Sequence, residues 1–88
     1  MLSRKKLRNE IIEIIDEMAD KPVYIDSDLT QLNIDFWKLE GVLELKYSVV
    51  LSWMRKYYCW DTVQDVINDV GNALIEQGYK FNEAEEDV

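Results

Sequence analysis

The chain has no histidine, one cysteine, one proline and three glycines in 88 residues. Each shortage excludes something. A lone Cys59 rules out an intramolecular disulfide. Without histidine, zinc sites of the mixed His/Cys type and Ser-His or Cys-His nucleophile pairs cannot be assembled. A single proline and few glycines leave little material for long flexible linkers. No apolar run approaches the ~20 residues needed to span a bilayer. No apolar signal core follows the basic opening Met1-Leu2-Ser3-Arg4-Lys5-Lys6. Cytoplasmic residence without membrane contact is the expectation.

What is present describes one ordinary globule. Hydrophobic residues make up 48% and charged residues 32%, a balance that supports a packed core rather than disorder. The length allows one small domain, read as residues 1–80, followed by an acidic mobile tail over 81–88. Net charge is −8. Such a surface repels a phosphate backbone, so direct nucleic-acid binding is not expected. It suits a protein partner with a basic patch. The charge is uneven, since Arg4, Lys5, Lys6 and Arg8 supply four of the ten basic residues.

Periodicity predicts helices. Over residues 3–19, Leu7, Ile11, Ile14, Ile15 and Met18 recur at three- and four-residue steps and define one apolar face. Asp20-Lys21-Pro22 ends that helix, because proline cannot continue the backbone ladder. A long connection over 20–34 follows, with Val23, Tyr24 and Ile25 as anchors and a single turn around Leu29 and Leu32. The next helix starts near Asp35, a capping residue. Its apolar stripe is Phe36, Leu39, Val42 and Leu43, with Trp37 beside it and Glu40 and Glu44 on another face. Gly41 suggests a close contact. Tyr47-Ser48-Val49-Val50-Leu51 has strand character, but a helix tail passing into a loop is preferred because no pairing strand is visible.

The aromatic and basic stretch over 52–60 reads as a short helix or turn, with Trp60 in the core and Cys59 as a small buried hydrophobe. The last helix opens at Asp61-Thr62, with Asp61 and Gln64 at capping-box spacing. Val63, Val66, Ile67, Val70, Ala73 and Leu74 form its buried face, and Gly78 stops it.

Two segments carry a family resemblance. Leu32-Asn33-Ile34-Asp35-Phe36-Trp37-Lys38-Leu39-Glu40 resembles the start of the second helix of acyl carrier proteins, Leu-Gly-x-Asp-Ser-Leu-x-x-x-Glu. Thr62-Val63-Gln64-Asp65-Val66-Ile67 resembles the entry to that family's last helix. The resemblance covers roughly residues 4–75. It implies an all-α, acyl-carrier-like bundle of three main helices plus a short fourth. It also implies a missing cofactor. The family's serine carries phosphopantetheine, and Phe36 stands in its place without a nucleophilic oxygen. Asn33 replaces the family's glycine, Trp37 its leucine, and Lys38 a position usually acidic.

The leading expectation is a non-enzymatic, carrier-like protein with no cofactor, no metal and no catalytic residue, acting by binding another protein. Phe36, Trp37, Glu40 and Glu44 form the predicted surface, with Tyr57 and Tyr58 of the aromatic stretch. A second reading is a small acidic inhibitor or immunity-type protein that blocks a basic, nucleic-acid-binding site. A third keeps carrier function by modification at Ser27, within Asp26-Ser27-Asp28-Leu29. Asp26 and Asp28 do not make a calcium loop, because the required glycine and bidentate glutamate are missing.

Overall fold

A serine begins the first helix. In the computed structural model, which describes residues 2–51 and 60–81, the buried Ser3 accepts at Oγ from the Lys6 N–H at 3.0 Å. Helix α1 then runs Arg4–Met18. Leu7, Ile11 and Ile15 are fully enclosed, and Ile12, Ile14 and Met18 pack against the core from its margins. The helix stops where Ala19 turns extended (φ −87°, ψ 156°), its N–H still donating to the Ile15 carbonyl at 2.9 Å.

The connection after α1 is held by its own polar groups. The Tyr24 N–H donates to Ser27 Oγ at 2.8 Å, and the Ser27 N–H returns to the Tyr24 carbonyl at 3.0 Å. Asp28 caps a 3-10 turn, Leu29–Gln31, accepting at Oδ1 from the Thr30 N–H and hydroxyl. That turn drives Leu29 and Leu32 into the core.

Helix α2 spans Phe36–Tyr47 under an Asp35 cap, whose Oδ1 accepts from the Trp37 and Lys38 N–H groups. It ends at Ser48, in the left-handed region at φ 54°. The following segment is irregular, with Val49 and Leu51 buried and Val50 outside. The preference for a loop over a strand holds: among the described residues the only bridge is an isolated antiparallel pair, Asp28 with Thr62.

Helix α3, Val63–Glu76, packs against both α1 and α2. Every predicted buried position on it is buried, joined by Asp69 and Gly71. The capping box differs from the predicted one. Thr62 and Asp65 make it: the Asp65 N–H donates to Thr62 Oγ1 at 3.4 Å, and Asp65 Oδ2 accepts from the Thr62 N–H at 3.0 Å. Asp65 Oδ2 also takes the Asp61 N–H, while the Gln64 side chain donates instead to Asn68. The shift by one residue has a cause. The Gln64 N–H is already taken by the Ile25 carbonyl, so it does not serve as the donor that a box capped by Asp61 would need.

Gly78 ends α3 with φ 92°. Its N–H reaches the Ile75 carbonyl and that of Tyr79 reaches Leu74, the paired bonds of a Schellman stop. The chain then crosses the start of α1. Tyr79 accepts at its hydroxyl from the Leu2 N–H at 2.7 Å, and Phe81 is buried beneath the Arg4 guanidinium, 4.8 Å from the ring centroid. The packed body therefore reaches Phe81, one residue beyond the boundary read from sequence.

Among the described residues the architecture is all-α: three helices and one 3-10 turn. No helix of the described residues is long and apolar enough to cross a membrane.

Candidate functional site: the exposed face of the second helix

The predicted surface residues of α2 do not stay together. Phe36 is half-buried and packs its ring against Trp60, centroids 6.4 Å apart and planes inclined by 58°. Glu40 is 5% exposed and so belongs to the interior, not to a charged surface. Helical geometry explains the correction: position 40 lies four residues after Phe36 and three before Leu43, on the stripe that faces the core. Glu44 is half-buried and engaged, accepting at Oε2 from the Leu51 N–H at 2.9 Å. It anchors the segment after α2. Tyr57 and Tyr58 lie outside the described residues, as do Trp53 and Cys59.

Trp37 is the predicted site residue that faces outward, at 76% exposure. Leu45, which sequence reasoning passed over, is 86% exposed. With Gly41 between them they follow the 37, 41, 45 spacing of one helix ridge. An ideal Cβ at Gly41 meets nothing within 4 Å, so the ridge has a notch between two large apolar side chains. The signal for Leu45 was available as its four-residue steps from Gly41 and Trp37. It was obscured because Leu45 adjoins the core stripe in sequence.

Ser27 sits in the connection, its Oγ accepting from Tyr24 and its carbonyl from Val63. No described group of three His, Cys, Asp or Glu side chains is placed to hold a metal. Trp60 is in the core, as predicted, and donates its indole N–H to Asp69 Oδ2. Burial pushes the Asp69 carboxyl above its ordinary range and the nearby Asp65 charge adds to this, while the Trp60 hydrogen bond opposes it. Asp28 is held below the ordinary range by the Thr30 hydroxyl and N–H.

A second feature lies between α1 and α3. A groove of about 550 Å³ has Arg4, Lys5 and Arg8 along one wall and Gln64, Asn68 and Asn72 along the other.

No protein-family model, no curated protein and no solved structure matches this chain.

Proposed function

We propose that this protein is an arm-less, acyl-carrier-like bundle that works by binding another protein through the outer ridge of α2. The observation that carries the reading is the outward placement of Trp37 and Leu45 on one ridge, the two most exposed large hydrophobic side chains among the described residues. Exposed Trp flanked by apolar neighbours is the composition of an interface anchor. Two further observations support the carrier-like part. Asn33, standing where the carrier pattern has glycine, has φ 54°, a conformation that glycine takes freely. Phe36, at the place of the modified serine, is turned toward Trp60, so the position serves packing instead of carrying an arm.

The experiment compares wild-type protein with the double variant Trp37→Ala/Leu45→Ala as baits for affinity capture, with circular dichroism to establish that both are folded. A protein held by wild type in ~0.5 M salt and lost by the double variant supports the reading, since an apolar footprint survives screening. Intact mass after incubation with a broad-specificity phosphopantetheinyl transferase and coenzyme A is the companion test. The expected result is no gain. A gain abolished by Ser27→Ala would replace this reading with a working carrier.

One observation favours the acidic-inhibitor reading as the runner-up. Glu13, Asp16 and Glu17 are exposed along the end of α1, and Asp20 is exposed just beyond it. Capture that disappears in high salt and ignores the Trp37/Leu45 variant would move the function there.

A further inference from the structure

The groove between α1 and α3 carries a charge opposite to that of the chain. The sequence has 18 acidic residues against 10 basic ones, yet no described Asp or Glu lines the groove, while Arg4, Lys5 and Arg8 all do. The nearest acids of α3 in sequence are engaged elsewhere: Asp65 closes the helix cap and Asp69 accepts from Trp60. The three cations do not serve the helix that holds them. They stand at the start of α1, whose first turn has no acid, where the helix dipole and their mutual repulsion both oppose them. Lys5 and Arg8 have no ion pair among the described residues. A charge arrangement that works against its own element is expected where a ligand uses it.

Size and lining define the ligand's chemistry. A volume of about 550 Å³ is that of a small-molecule site. Arg4 and Arg8 are four residues apart, on one face of the helix, with Lys5 beside them. A planar carboxylate is matched by one guanidinium fork, whereas a tetrahedral phosphate has oxygens for two forks and an ammonium. From α3, Gln64, Asn68 and Asn72 line the groove at four-residue steps. Gln64 Nε2 donates to Asn68 Oδ1 at 2.8 Å, which occupies that oxygen and leaves the Asn68 NH₂ as a donor. Leu7, Ile25 and Ile67 are also lining residues and suit an apolar body. We propose that this groove binds a phosphate monoester with a compact apolar body. Arg4, Lys5 and Arg8 hold the phosphate, and the amides of α3 meet the polar atoms next to it. The site draws on α1 and α3 and is independent of the α2 ridge.

The test titrates the isotope-labelled full chain with phenyl phosphate and follows the side-chain amide signals of Gln64, Asn68 and Asn72 by NMR. Saturable shifts are expected, and phenol at the same concentration should produce none. Lys5→Gln/Arg8→Gln should weaken binding roughly tenfold or more, with circular dichroism establishing that the variant is folded. Trp37→Ala/Leu45→Ala should bind phenyl phosphate as wild type does. Vesicles of phosphatidylcholine and phosphatidic acid then separate the two sources of such a phosphate. Co-sedimentation that the Lys5/Arg8 variant loses assigns the site to a lipid headgroup, and phenyl phosphate binding without co-sedimentation assigns it to a soluble ester. Absent or unsaturable shifts would overturn the proposal, as would shifts that phenol reproduces or that the folded Lys5/Arg8 variant retains in full.

Discussion

Gly41 stands inside α2 with nothing within 4 Å of where its Cβ would be. Sequence reading expected a close contact there, and no described residue makes one. Glycine in a helix interior costs about 0.5–1 kcal/mol relative to alanine. Gly41→Ala should therefore raise the unfolding free energy measured in urea by that amount, and a destabilised variant would show that the open space is not open. Asp69 is the other single residue with a clear consequence. It is enclosed and accepts the Trp60 indole N–H. Asp69→Leu leaves that donor without its acceptor and should cost about 1–3 kcal/mol, whereas Asp69→Asn retains an oxygen for it. Because burial raises the Asp69 pKa above the ordinary 3.8, the folded state holds this proton more tightly than the unfolded one. Its contribution is thus most favourable in acid and is lost as pH rises through the folded value. Asp69→Asn should flatten the fall in stability as pH rises above the ordinary carboxyl value, measured by urea unfolding at each pH. An unchanged slope would mean that the carboxyl titrates normally.

At the scale of elements, the start of α3 decides between two capping assignments. In the structure Thr62 and Asp65 exchange the reciprocal bonds of the box. Thr62→Ala and Asp65→Ala should each cost about 1 kcal/mol, while Asp61→Ala, which removes no side-chain bond seen here, should stay within about 0.5 kcal/mol. The reverse ranking would restore the box read from sequence. The helices themselves were legible because Leu7, Ile11 and Ile15, or Val63, Val66, Ile67 and Val70, repeat at helical steps whatever packs on them. The register of the cap was not, because it depends on the Ile25 carbonyl taking the Gln64 N–H, a long-range event invisible to local spacing. The candidate site follows the same rule. Trp37 was found as an aromatic beside the core stripe. Glu40 and Glu44 were misjudged as a charged pair because a carboxylate's type says nothing of whether its helix face is covered.

At the scale of the whole molecule, α3 packs against both α1 and α2, and a side-chain bond among the described residues ties those two together. Tyr47 at the end of α2 donates its hydroxyl to Glu10 Oε1 of α1 at 2.8 Å. The tie is partly buried, and it joins two elements whose connection runs over seventeen residues of loop and turn. Tyr47→Phe keeps the ring and removes the bond, so a loss of about 1–2 kcal/mol is expected. Its pH behaviour distinguishes this tie from a loss of packing. Burial raises the Tyr47 hydroxyl far above the ordinary 10.0, and the bond to Glu10 and the Glu10 charge push it further. The unfolded chain ionises this phenol near its ordinary value, while the folded chain keeps it protonated. The stabilisation is therefore complete below the ordinary value and drains away as pH climbs above it. Wild-type stability should fall more steeply than that of Tyr47→Phe as the medium is taken from about pH 9 toward pH 11, so the two unfolding free energies converge. Parallel curves would show that the Tyr47 hydroxyl is as free to ionise in the fold as outside it.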